Sequence, residues 1–187
     1  NDFHSIRYEQ DFFALHGFYD FKGVEEVYSC VLKRDSKKQM KYSQKSYNRL
    51  SEHIGKVPCV MIAPNDHVLI TGGSEVRRKF IDIIISQQDK VYLQNLIRYN
   101  KAVEQRNKLL KSFQLYHYID EVNLLIWEEQ IALYGACVQE KRKEFFKGFK
   151  QPMNDFYQFI SQNKEDVEIE YQTFEGDLLC LLKENRE

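Results

Sequence analysis

The sequence predicts an α+β fold: an antiparallel β-meander and part of a mixed sheet, interrupted by an antiparallel α-helical coiled-coil hairpin. Three observations predict it. The first third alternates apolar and polar residues with the period of a strand. Residues 57–63 form one unbroken apolar run. From Tyr92 onward, apolar residues recur at alternating steps of four and three.

In chain order, residues 10–19, 24–34 and 37–43 read as three strands. Turn chemistry separates them at Asp20-Phe21-Lys22-Gly23 and Asp35-Ser36. Residues 51–54 read as one helical turn ended by Gly55. The run from Val57 to Ala63 is apolar on both faces, which predicts a strand buried on both sides, with Pro58 near its start. Val68-Leu69-Ile70 leads to Thr71-Gly72-Gly73. Ser74 is an expected N-cap for a helix over 75–88, whose apolar face holds Phe80, Ile81, Ile84 and Ile85.

Two seams follow. Tyr92, Leu96, Tyr99, Val103, Arg106, Leu110 and Phe113 form the first. Leu124, Trp127, Ile131, Tyr134, Val138, Lys141 and Phe145 form the second. Residues 114–119 are too few to do more than reverse the chain, so the helices are expected to pack antiparallel over about 30–35 Å. Arg106 falls on a seam and requires a carboxylate or carbonyl partner. Glu128 and Glu129 sit beside a seam and read as solvated. Gln151-Pro152 is expected to kink or restart the second helix. Residues 165–171 alternate acidic and apolar, as a strand with one wet face does, and 177–186 read as a last short helix. The expected division is 1–73, β-rich; 74–161, helical; and 162–187, a return strand and helix.

Composition narrows the function. Cysteines 30, 59, 137 and 180 and histidines 4, 16, 53, 67 and 117 are too scattered for a disulfide framework or a metal site. Single thiols suit a reducing cytosol, so the expected location is cytoplasmic. No secretory leader is expected, and no apolar run approaches the roughly 18 residues of a membrane span. The chain opens on Asn1 rather than Met, as expected of a piece of something longer. Residues 74–150 carry 14 Lys and Arg against 10 Asp and Glu, whereas 151–187 carry 3 against 9. A basic middle and an acidic tail suit either solvated surfaces or a weak nucleic-acid surface.

No catalytic constellation is present. There is no Gly-x-x-x-x-Gly-Lys-Ser/Thr and no Gly-x-Ser-x-Gly. The loop Thr71 to Ser74 before a helix, with Arg77, Arg78 and Lys79 one turn on, reads as a tight turn with its cap or as an anion contact. Arg98, Lys101, Arg106, Lys108 and Lys111 read as a helix's wet side or as a phosphate-contacting stripe.

Residues 60–82 (VMIAPNDHVLITGGSEVRRKFID) and 92–111 (YLQNLIRYNKAVEQRNKLLK) resemble the bacterial RecF family of SMC/ABC-like ATPases. The motif residues are Pro64, Asp66, Gly72, Gly73, Ser74, Arg77-Arg78, Arg98-Tyr99-Asn100-Lys101 and Gln105-Arg106-Asn107. The flanks HGFY (16–19), LSEHIGKVP (50–58) and WEEQIALYGACVQEKRKEF (127–145) also fit.

The resemblance implies a partial ABC/SMC-like head with an inserted coiled-coil arm. It also implies ATP and Mg as cofactors of the full-length family, with weak ATPase activity and ATP-dependent homodimerisation. Binding of single- and double-stranded DNA and work with RecO and RecR to load RecA are implied as well. So are roles in recombinational repair of gapped DNA, replication and the SOS response. The family's phosphate-binding loop is expected before Asn1, and its signature motif and acidic Mg-binding strand after Glu187. The chain alone is then expected to hold no cofactor and to be inactive. Pro64 to His67 would lie near the nucleotide edge, but the loop has no Gln and no Q-loop role is assigned. The DNA-contact candidates are Arg77, Arg78, Lys79, Arg98 and Lys101. The alternative is a non-catalytic coiled-coil module that docks a protein and does not touch DNA.

Overall fold

The computed structural model describes residues 2–116, 120–174 and 176–186. It divides into two compact units, Asn1–Met61 and Ile62–Glu187.

The first unit is an antiparallel meander: β1 (Phe12–Phe21), β2 (Val24–Lys33), β3 (Gln39–Tyr42) and β4 (Lys45–Ser46), paired in chain order. The three expected strands are present, and β4 adds a short edge. β1 runs two residues further than the turn chemistry suggested. Phe21 pairs with Val24, so the turn is only Lys22-Gly23. Both residues have positive φ (54° and 81°), the twist a two-residue hairpin favours, and Asp20 Oδ1 accepts the Gly23 amide at 2.9 Å. The covered face holds Tyr28 and Leu32, both buried. The rings of Tyr19, Tyr42 and His53 pack around Tyr28. Glu26 accepts hydrogen bonds from the hydroxyls of Tyr28 and Tyr42 at 2.7 and 3.1 Å.

Residues 57–63 are not a strand, and Val60, Met61 and Ile62 are more than four-fifths exposed. The mixed sheet expected around them is not formed among the described residues. An all-apolar strand needs a strand at each edge and a layer over each face. The described residues supply neither.

The second unit is helical. After a 3₁₀ turn (Pro64–His67) come α1 (Val68–Thr71), α2 (Ser74–Gln88), α3 (Lys90–Tyr116), α4 (Glu121–Ser161) and α5 (Leu178–Glu184). Asp89 separates α2 from α3 and starts the latter, its carboxylate accepting the amides of Val91 (2.8 Å) and Tyr92 (2.9 Å). Gly73, not Ser74, is the N-cap of α2. Ser74 is the first helical residue, and its hydroxyl accepts from Arg78 at 2.8 Å.

α3 and α4 pack antiparallel. Tyr99 lies against Gly135, and seven residues further along α3 Arg106 meets Glu128, seven residues back along α4. Continuing that register sets Leu96 opposite Val138 and Leu110 opposite Leu124. Of the first seam, Tyr92 is buried and Leu96, Tyr99, Val103, Arg106, Leu110 and Phe113 are half-buried, but Leu93 and Ala102, outside that seam, are buried too. The second is corrected: Leu124, Ile131 and Val138 face inward, but their partners are Glu128, Gly135 and Arg142, not Trp127, Tyr134 and Lys141. Glu128 and Gly135 are buried, and Arg142 is largely so. The sequence pattern left Glu128 and Arg142 out of the interior, but each finds a counter-charge there. The expected reversal at 114–119 lies partly outside the described residues. α4 runs through Pro152 without a break and ends at Gln162 and Asn163, both left-handed.

The expected strand at 165–171 is extended chain with no strand beside it among the described residues. It runs back along α4. The Tyr157 hydroxyl donates to Glu165 and the Gln158 amide to Asp166, both at 2.7 Å. Tyr171 stacks on Phe146 with ring centroids 5.1 Å apart. The alternation is real, but its apolar face rests on a helix rather than on a sheet layer.

Candidate nucleic-acid interface

Motif residues from Pro64 to Ser74 form one turn of local hydrogen bonds. Pro64 opens the 3₁₀ turn, where its missing N–H costs nothing, and Asp66 closes it by accepting the Ala63 amide at 2.8 Å. The Gly72 amide donates to the Val68 carbonyl at 2.8 Å. A Cβ on Gly72 would sit 2.5 Å from that oxygen, so the position admits only glycine without a backbone shift. A Cβ on Gly73 would meet nothing within 4 Å.

The cations beyond this turn have different surroundings. Arg77 donates to the carbonyls of Gly72 (2.8 Å) and Leu69 (3.2 Å), closing the end of α1. Arg78 reaches Ser74. Lys79 is exposed and lies two positions before buried Ile81, close to the opposite side of α2. Arg98 lies over the ring of Tyr134 at 5.3 Å, which steadies the guanidinium and leaves it at the surface. Lys101 is exposed, and Lys108 pairs with Glu104 one turn back. Asn107 is exposed and Gln105 half-buried.

Arg106 behaves differently. It donates to Glu128 (3.2 Å) and to the carbonyls of Leu182 (3.0 Å) and Asn185 (3.3 Å) at the end of α5. The partner its seam position required is thus both a carboxylate and two carbonyls. Glu128, expected in solvent, has no solvent contact at all and also receives Arg186 at 3.1 Å. A lone buried carboxylate would be prohibitively costly, so two guanidiniums enclose it.

A second network lies at the other end. Arg142 forks onto Asp82 at 2.8 and 2.7 Å, and the Tyr92 hydroxyl donates to the same carboxylate at 2.5 Å. Burial, reinforced by Asp82, holds the Tyr92 hydroxyl well above its ordinary pKa. This ties α2, which carries the glycine turn, to both long helices. Asp82, Arg142 and Arg186 were not singled out from sequence, Tyr92 was read only as a seam residue, and Glu128 was read as solvated. The available signal was the repetition of charge at seam steps along α4, matched by Arg106 on α3.

Among the described residues, no group of three or more His, Cys, Asp or Glu side chains could hold a metal ion. The 187 residues also contain no phosphate-cradling glycine loop with its lysine. Among the described residues, no helix is long and apolar enough to cross a membrane.

A meander followed by this helical unit matches about half of a solved recombination mediator. The chain superposes on the recombination mediator RecF with ATP in the RecFOR pathway with a TM-score of 0.80. Sequence identity there is 28%, over 96% of this chain and 50% of that one. A second such structure, RecF-ATPrS, gives 0.75 over 83% of this chain and 42% of that one. No family model matches.

Sequence relatives name the family more narrowly. The DNA replication and repair protein RecF of Phocaeicola vulgatus is 51% identical over 99% of this chain. That of Bacteroides fragilis is 50% identical over 99%, and that of Flavobacterium johnsoniae 43% over 97%. The chain belongs to the RecF family. It spans about half the length of the curated relatives it matches.

Proposed function

We propose that these residues are part of a RecF-like, ATP-dependent DNA-binding protein. Its role is recombinational repair of gapped DNA, replication and the SOS response, helping RecO and RecR load RecA in the cytoplasm. The observation that carries the reading is 51% identity to a RecF protein over 99% of the chain. ATP and Mg would be held by parts of the protein beyond these 187 residues, as would the contacts of an ATP-dependent homodimer.

In this reading 1–73 and 162–187 belong to the head, and 74–161 to a coiled-coil arm. The regular four-three register of α3 and α4 supports the arm. Single- and double-stranded DNA would meet exposed cations: Lys79, Lys101 and Arg98, with Arg78 reaching out from Ser74. Arg77 serves the turn, so its contribution would be indirect.

Binding through phosphates has a measurable signature. Lys79→Ala and Lys101→Ala should each weaken duplex binding regardless of sequence and lower the slope of log K against log salt by about 1. An unchanged slope in both variants would remove these residues from the interface.

One observation favours a second reading, in which the helical pair docks a protein such as RecR and does not touch DNA. Val122, Ile126 and Leu133 are 73%, 45% and 61% exposed along α4. Capture of RecR that is lost in a Val122→Asp, Leu133→Asp variant, with DNA binding unaffected, would support it.

A further inference from the structure

The return segment leaves α4 through two left-handed residues and is held again at α5. Gln162 and Asn163 are consecutive non-glycine residues with φ of 57° and 58°. Gly176, at φ 111°, stands just before α5, where any side chain would be strained. Between them, Tyr171 is stacked on Phe146, and the Gln139 amide reaches the Phe174 carbonyl at 3.4 Å.

Beyond Gly176 the chain is held in two ways. Leu178 covers Gly135, where even an added Cβ would come within 3.1 Å of its methyl and 3.2 Å of the Tyr99 ring. Then Glu128 draws in Arg186, while Arg106 holds the Leu182 and Asn185 carbonyls at the end of α5. α5 itself is only seven residues long and has no buried residue of its own. A helix that short does not persist alone in water.

We infer that Arg106, Glu128 and Arg186 form a latch, and that α5 docks on the helix pair or swings away about Gly176 according to whether that latch is closed. The motif arginine thus acts as a positioning residue for α5. Opening the latch would bare the Tyr99–Gly135 surface and free Arg186, while Tyr171 keeps the rest of the segment on α4. Glu128 is the keystone because it alone neutralises both guanidiniums. Opening must therefore leave Arg106 paired to it and carry Arg186 out to water, where a cation is well solvated.

Native-state hydrogen exchange of the 187-residue chain tests this. The Leu181 and Asn185 amides are bonded within the last segment, to the carbonyls of Asp177 and Leu181, and report on α5 directly. In Glu128→Gln they should exchange at least about tenfold faster, while interior amides of α3 and α4 keep their rates. Arg186→Gln leaves the Arg106–Glu128 pair in place and should give the same local effect, so the test stands even if Glu128→Gln does not fold. Glu104→Gln, which loses only an exposed pair, should change nothing. Unchanged α5 exchange in Arg186→Gln would overturn the latch. So would an equal acceleration across α3, α4 and α5, which would make α5 part of one cooperative core.

Discussion

A carboxylate without solvent contact must be answered by cations, and Glu128 is answered by two. Asp82 is held in a similar way by Arg142 and Tyr92. Asp82→Asn should therefore cost about 3 kcal/mol, because it leaves Arg142 largely buried with no counter-charge; urea unfolding measures it. Asp89 makes a different contribution. The Tyr92 amide, with that of Val91 and with Lys141, holds its carboxyl below the ordinary 3.8 against the opposing effect of burial. A depressed folded pKa stabilises above the unfolded value, and the gain disappears as pH falls toward the folded one. Stability should thus decline as acid takes the pH below about 4, and Asp89→Ala should flatten that part of the profile while losing about 1 kcal/mol of helix capping at neutral pH. Residue roles of this kind were only partly legible. Arg106 announced its need for a partner by falling on an apolar seam. Glu128 and Arg142 did not, because a charge beside tryptophan or lysine on a helix reads as solvated until its counter-charge is placed.

At the scale of elements, what the sequence made plain was periodicity. The meander, α2, both long helices and the last short helix follow from their apolar spacing and turn residues. The second seam slipped by one position at every other step because Trp127 and Tyr134 are more apolar than Glu128 and Gly135. Packing against α3 favours the smaller and paired residues instead. Two glycines of α4 test that packing. Gly135→Ala should destabilise by about 1–3 kcal/mol, since its methyl must displace Tyr99 or Leu178. Gly148→Ala meets nothing and should stabilise by about 0.5–1 kcal/mol through helix propensity. Equal denaturation midpoints for the two variants would contradict the register. Residues 57–63 and 165–171 mark the limit of periodicity. It identifies extended chain and its apolar face, but what covers that face is decided elsewhere in the fold.

For the whole molecule, family membership and the fold of the two units agree, and each unit has its own interior. Val60, Met61 and Ile62, apolar and exposed, are a liability for a chain in water. Sedimentation should show concentration-dependent association of the 187-residue chain, relieved by Val60→Asp with Ile62→Asp. Around Gly135, α3, α4 and α5 of the helical unit meet. That junction carries the register, the placement of charge inside the pair and the docking of α5 together. A nuclear Overhauser measurement addresses it directly. Cross-peaks from the Gly135 α protons to the Tyr99 ring and to a Leu178 methyl are predicted. Their absence, with the Tyr99 ring instead contacting residues a turn away along α4, would contradict it.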